Sequence, residues 1–131
     1  MSYMLLIAEP VGQRRARTEA EGRAAYQQMT DFSASLQSRG LLKATQSLAS
    51  ENQAARVTVR GGKAQVLDGP FAEAKEMIGG YFLLTCKTFE EAVAIASECP
   101  AAQWATVEVR GFAPCYDDGV RPLAAPASAV A

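Results

Sequence analysis

Two helices that begin with the same capping pattern constrain the fold of this chain most. Thr18 and Thr88 are each followed three residues later by a glutamate. In this pattern the hydroxyl and the carboxylate satisfy free backbone N–H groups at the start of a helix. Apolar side chains recur at helical spacing after each threonine, so the sequence predicts helices over 18–38 and 88–99.

Strand patterns precede and follow both helices. Nearly unbroken apolar runs over 3–8 and 81–87 are typical of central strands that are covered on both faces. Apolar and polar residues alternate over 41–48 and 104–112, as expected of strands with one buried face. The order strand–helix–strand therefore occurs twice along the chain.

A β-hairpin is predicted between these two units. Residues 56–60 and 63–67 flank Gly61-Gly62, whose glycines accept the positive φ angles of a two-residue turn. Without the hairpin, the remaining order is the βαββαβ plan of a ferredoxin-like α+β fold with an antiparallel sheet. We expect one domain over residues 1–113 and a tail rich in alanine and proline over 114–131.

Two helices cover only one face of a four-stranded sheet, so the other face needs a partner. Trp104, Tyr81 or Phe82, and parts of the first strand would otherwise form an exposed apolar patch. Two copies that pair face to face would bury this patch in a homodimer and form a dimeric α+β barrel. The space between the sheets is then either a small-molecule chamber or a filled dimer core.

Composition excludes several classes of function. The net charge is −1, and the basic cluster Arg14, Arg15 and Arg17 is interpreted as a solvated loop, so neither nucleic acid nor a membrane is an expected partner. No export signal or spanning segment is visible, and we expect a cytoplasmic protein. The chain has no histidine and no paired cysteine motif, so neither a metal nor a cofactor is expected.

The segment Asp68 to Glu76, with the sequence DGPFAEAKE, concentrates charged side chains around an aromatic residue and a Gly-Pro turn. Together with the sequence IGGYFL over 78–83, VEVR over 107–110 and YMLLI over 3–7, it resembles the YCII-related, DGPF-domain family of small bacterial proteins. The resemblance covers residues 3–113 and departs at Ala74, where the family usually has threonine.

This resemblance implies a dimeric α+β barrel and no established activity. YCII-like relatives are suspected enzymes that use a His-Asp pair, which this chain lacks because it has no histidine. DGPF proteins are also associated with extracytoplasmic-function sigma factors, which implies a role in regulation.

Asp68 and Glu76 are the candidate catalytic residues of the sequence. Burial of Asp68 in the chamber would suit it to act as a general acid or base, whereas a purely structural Asp68 would accept N–H bonds across the turn. Glu76 and Lys75 precede the Gly79-Gly80 entry into a buried strand and are placed at the chamber mouth. Lys75 would bind an acidic substrate there.

Four further residues are candidate substrate contacts. Glu108 and Arg110 share one strand face and form either a structural ion pair or, through Arg110, a carboxylate clamp. Phe71 and Trp104 are either core anchors or rings on which a ligand stacks.

Three hypotheses about function follow from these residues. In the first, the protein binds a small molecule, with a cofactor-independent enzyme that uses carboxylate acid–base chemistry as one form of this hypothesis. In the second, it is a non-catalytic interaction or regulatory accessory module. The third, a redox role for Cys86, Cys99 and Cys115, is the weakest, because Cys86 and Cys99 lie in apolar patterns.

Overall fold

A computed structural model describes residues 2–119 and contains an α+β domain with a four-stranded sheet and a separate two-stranded sheet. In chain order, the strands and helices are β1 (Tyr3–Pro10), α1 (Gln13–Ala16), α2 (Glu19–Ser38), β2 (Leu42–Ser47), β3 (Ala55–Arg60), β4 (Lys63–Asp68), β5 (Glu76–Leu84), α3 (Phe89–Glu98) and β6 (Thr106–Gly111). Short 3₁₀ turns at Glu51–Gln53 and Pro100–Gln103 join some of them.

The main sheet has the order β2-β5-β1-β6, and all of its neighbouring strands are antiparallel. With the hairpin set aside, this is the strand order of the predicted ferredoxin-like fold, which is confirmed. Both predicted helices begin at the predicted threonines, and each hydroxyl accepts a hydrogen bond from the backbone N–H of the glutamate three residues later.

The core lies between the helices and one face of the main sheet. Alternate side chains of β1 and β5 point to this face, and Leu5 and Leu84 are fully buried there. Phe32 and Leu36 of α2 and Ile95 of α3 pack against them. Burying large apolar side chains of this kind contributes about 1.5–3 kcal/mol each, so this layer fixes the position of both helices.

The opposite face of the main sheet is not covered by any element within residues 2–119. Its central row consists of Gln46, Tyr81, Leu6 and Glu108, which lie opposite one another on the four strands. Tyr81 and Leu6 remain partly exposed. We call this surface the open face.

The hairpin of β3 and β4 forms its own two-stranded sheet, which we call the arm. Val57 pairs with Val66 in the arm, and both side chains are more than 60% exposed, as is that of Val59. An isolated hairpin is only marginally stable in water unless another surface covers it. The arm is therefore a second apolar surface without a cover in the described part of the chain.

Two strand starts differ from the prediction by two or more residues. β5 begins at Glu76, five residues before the predicted start at Tyr81, and runs through the glycine pair. The last strand begins only at Thr106 because Pro100 starts a 3₁₀ turn that ends at Trp104. The predicted tail falls largely on residues 120–131, which lie outside the described residues.

None of the helices within residues 2–119 has the length and apolar character that crossing a bilayer requires.

Candidate functional site

A cleft with a volume of about 430 Å³ lies between α2 and the helix-facing side of the main sheet. Ile7 and Phe82 of the sheet and Met29 of α2 form its apolar wall, and Tyr26 and Trp104 contribute aromatic surface. The charged residues that line it are Glu9, Arg14 and Arg17. Its size is that of a small-molecule site, and so is its mixture of apolar walls with few charged groups.

Glu9 and Arg14 form a two-pronged ion pair at one end of the cleft. The Arg14 Nε donates to Glu9 Oε2 at 3.0 Å, and Nη2 donates to Oε1 at 2.8 Å. Arg14 also donates to the carbonyl oxygens of Leu48, at 2.8 Å, and Gly79, at 3.3 Å. Glu9 is one of two buried charged residues in residues 2–119, so this pairing satisfies a carboxylate that has lost its water.

A β-bulge in β5 gives this ion pair its space. Gly80 lies opposite Ile7 and Ile78 lies opposite Ala8, so Gly79 is the extra residue of the bulge. A side chain at Gly79 would collide with the Glu9 carboxylate, and a Cβ at Gly80 would come within 2.8 Å of the Gln46 carbonyl oxygen. Bulges occur often beside functional sites, where they redirect the strand.

Arg17 and Trp104 form the other end of the cleft. The guanidinium carbon of Arg17 lies 5.4 Å from the centre of the Trp104 ring, a cation–π contact. Gln13 holds the Trp104 segment because its side-chain Nε2 donates to the Trp104 carbonyl oxygen at 2.7 Å. Within residues 2–119 Arg17 forms no ion pair. Arg17 therefore supplies a positive charge that no residue within 2–119 neutralises through an ion pair.

The predicted catalytic residues do not line the cleft. Asp68 is exposed at the end of β4, opposite Ala55, and Glu76 is exposed at the start of β5, opposite Pro10. Lys75 is exposed as well, and its backbone carbonyl accepts a hydrogen bond from the N–H of Val11. The single chain does not bring the three charged side chains into one cavity.

The DGPF segment fastens the base of the arm to the domain. The backbone N–H of Gly69 donates to the Ala54 carbonyl, and a Cβ at this glycine would overlap the Glu51 carbonyl. Phe71 is buried beneath the guanidinium of Arg56, at 3.9 Å from the ring centre, and its N–H donates to Glu51 Oε1. These contacts are those of a structural anchor.

Glu108 and Arg110 lie on the open face and pair with each other at 3.0 Å. Arg110 is opposite Met4 and Glu108 is opposite Leu6, so both belong to the surface expected to face a second copy. Trp104 does not join them. It lies on the helix side of the sheet, because the 3₁₀ turn removes it from the strand whose alternation predicted its direction.

Sequence reasoning missed Glu9, Arg14 and Arg17. The available signal was a glutamate at the end of an apolar strand with an arginine cluster a few residues later. Reading that cluster as a solvated loop fits Arg15, which is exposed, but is wrong for Arg14 and Arg17, which line the cleft. The short helix α1, which was also not predicted, turns Arg14 back toward Glu9.

Cys86 and Cys99 are buried free thiols, whereas Cys115 is exposed. Burial raises the pKa of the Cys99 thiol, and burial together with the nearby Glu91 carboxylate raises the pKa of the Cys86 thiol. A raised pKa keeps both thiols protonated and slow to react. No cluster of three or more potential metal ligands occurs in residues 2–119.

The comparisons with known proteins agree with this architecture. A family model described as "YCII-related domain" matches residues 1–114. An uncharacterized protein of Rhizobium meliloti (strain 1021) is 38% identical over 71 residues. That match covers 53% of this chain and 56% of the relative, so the chain spans little more than half the relative's length.

The substitution Gly79→Ala tests the role of the bulge. We expect the added methyl group to displace the Glu9 carboxylate from Arg14 and to lower the free energy of unfolding by about 1–3 kcal/mol, less than the loss for a fully buried ion pair. Urea denaturation measures this change. The matched control is Gly22→Ala, because a Cβ there meets nothing within 4 Å and alanine favours a helix. Equal stability of the Gly79→Ala variant and the wild type would contradict the role assigned to the bulge.

Proposed function

This chain belongs to the YCII-related domain family, and we propose that it binds a small molecule in the cleft between α2 and the main sheet. The observation that carries this proposal is the combination of an apolar and aromatic wall with the positive charge of Arg17, which forms no ion pair in the described part of the chain. Clefts that bind small molecules combine apolar and aromatic walls with a small number of polar or charged groups, as this one does.

Binding fits the geometry better than acid–base catalysis by Glu9. Both carboxylate oxygens of Glu9 accept hydrogen bonds from Arg14, so the geometry commits this carboxylate to the ion pair. Asp68 and Glu76 would take part in catalysis only if a second copy placed its own groups beside them. The enzymatic form of the hypothesis therefore depends on the assembled protein.

We also propose that the protein is a homodimer that pairs through its open face. The partly exposed side chains of four residues form the apolar centre of this surface: Met4, Leu6, Tyr81 and Leu83. Glu108 and Arg110 lie at its side. An isologous pair of sheets would bury these side chains. The cleft lies on the other side of the sheet, so ligand binding there does not require the dimer.

The proposed unit is a domain over residues 1–113 followed by the tail 114–131. A cytoplasmic location is proposed with it, supported by the three free cysteines, which fit a reducing compartment.

The arm favours a second candidate function, that of an interaction module. Val57, Val59 and Val66 are exposed on one face of the arm and form an apolar patch, which is a feature of protein interaction sites. The family association with sigma factors names a partner class that can be tested. This candidate does not use the cleft.

Trp104 is the single tryptophan of the chain and lines the cleft, so its fluorescence reports on occupancy. We expect compounds from a metabolite library that raise the melting temperature also to change Trp104 emission, because a ligand in the cleft stabilises the folded state. The substitution Ala25→Leu fills the cleft and should weaken such binding at least tenfold. Ala24→Leu, on the exposed side of the same helix, is the control. Compounds that bind Ala25→Leu as tightly as the wild type would refute the cleft as the site.

Charge placed on the open face tests the dimer. We expect the wild type to sediment at about twice the 13.9 kDa mass of one chain and Leu6→Glu to sediment as a monomer, since two buried carboxylates would face each other. Ala34→Glu, on the exposed side of α2, should leave the dimer intact. A wild-type monomer at tens of micromolar protein would show that the open face does not self-associate.

If the protein is an interaction module, the arm alone should form the contact with the protein partner. Under this candidate a purified extracytoplasmic-function sigma factor binds the wild type, and the double substitution of Val57→Ser with Val66→Ser abolishes binding in calorimetry. Thr58→Ser, on the other face of the same strand, should have little effect. Absence of binding to the wild type, or unchanged binding by the double variant, would count against the candidate.

A further inference from the structure

We infer that the ligand of the cleft is a small aromatic monocarboxylate whose carboxylate group is bound by Arg17. This inference rests on the proposed function and adds the chemical class of the ligand. It follows from how differently the two arginines of the cleft are engaged.

Arg14 has little capacity left for a ligand. Its guanidinium donates four hydrogen bonds, to both oxygens of Glu9 and to the carbonyl oxygens of Leu48 and Gly79. An arginine has five N–H donors, so Arg14 is nearly saturated by the protein. Its charge is also balanced by the buried Glu9 carboxylate.

The side chain of Arg17, in contrast to that of Arg14, is hardly engaged by the protein. Its side chain makes no hydrogen bond to another residue within 2–119, and the contact with the Trp104 ring at 5.4 Å is the interaction that positions it. A cation–π contact of a partly exposed arginine is a weak interaction. Arg17 therefore keeps its forked donors available for a carboxylate, which accepts two parallel N–H bonds.

The balance of charge in the cleft sets the charge of the ligand. Glu9 and Arg14 cancel each other, and Arg17 is the remaining charged group among the lining residues. One negative charge on the ligand would neutralise the cleft. A doubly charged phosphate would leave an excess negative charge in the cleft.

The walls of the cleft set the shape of the ligand. Tyr26, Phe82 and Trp104 supply aromatic surface, and Met29 supplies a thioether that packs well on rings. A volume of about 430 Å³ accommodates a single ring with a short acidic arm and some water.

Titrations followed by Trp104 fluorescence and by calorimetry test the inference with three probes. These are phenylacetate, the neutral isostere phenylacetamide, and phenyl phosphate. We expect the wild type to bind phenylacetate at least tenfold more tightly than either of the other two, because only phenylacetate combines one negative charge with an aromatic ring.

Arginine variants assign this preference to one side chain. Arg17→Gln should remove the preference for phenylacetate over phenylacetamide, while Arg17→Lys should keep part of it because the charge remains. Arg15→Gln is the matched control, since it removes the same charge from an exposed neighbour that does not line the cleft, and its affinity should stay within about twofold of the wild type. Thermal melts establish that each variant is folded.

Several outcomes would overturn the inference. Equal binding of phenylacetate and phenylacetamide would show that the carboxylate is not recognised, and tighter binding of phenyl phosphate would show that the anion is of another class. An unchanged preference in Arg17→Gln would remove Arg17 from the site. If none of the probes binds, the monocarboxylate assignment fails. The proposed function fails only if the library compounds bind the Ala25→Leu variant as tightly as the wild type.

Discussion

The ion pair of Glu9 with Arg14 is the interaction on which the cleft depends. It connects the end of the central strand β1 to α1. Through the carbonyl oxygens of Leu48 and Gly79, Arg14 also holds the end of β2 and the bulge of β5. A buried carboxylate is costly unless its oxygens are hydrogen-bonded, and breaking such a pair leaves an uncompensated charge. The ion pair therefore keeps β1, β2, β5 and α1 in one fixed arrangement. This arrangement keeps the cleft open where Glu9 and Arg14 line it.

Gly79 of β5 makes room for the side chain of Glu9, a residue that is distant in the sequence. Gly79 is the extra residue of a bulge, and its missing side chain is the space that the Glu9 carboxylate occupies. The DGPF segment just before it has a different task. It fixes the arm through Gly69 and Phe71, both of which contact the turn around Glu51. The DGPF segment, the most prominent motif of the sequence, thus has a structural role. The charged residues of the cleft, Glu9, Arg14 and Arg17, belong to no such motif.

The fold was predictable from the sequence because its signals are local. The capping threonines, the strand periodicities and the Gly61-Gly62 turn each involve residues close together in the chain, and the predicted order of elements is confirmed. The site was less predictable because Glu9 and Gly79 are distant in sequence and meet through strand register and a bulge, which periodicity does not reveal. Trp104 was a candidate contact on the open face, but it lies on the helix side of the sheet, since a 3₁₀ turn breaks the alternation before β6. The roles of Asp68, Lys75, Glu76, Glu108 and Arg110 in a chamber between two sheets remain predictions about the assembled protein.

The alternation of side chains along β1 separates two functions in space. Ile7 and Glu9 point into the cleft, while Leu6 lies on the open face at the other side of the same strand. If two copies join through their open faces, their clefts therefore end up on the outside of the assembly, each built entirely from one polypeptide. Such an assembly would take up one ligand per chain, and a simple hyperbolic isotherm would describe its saturation.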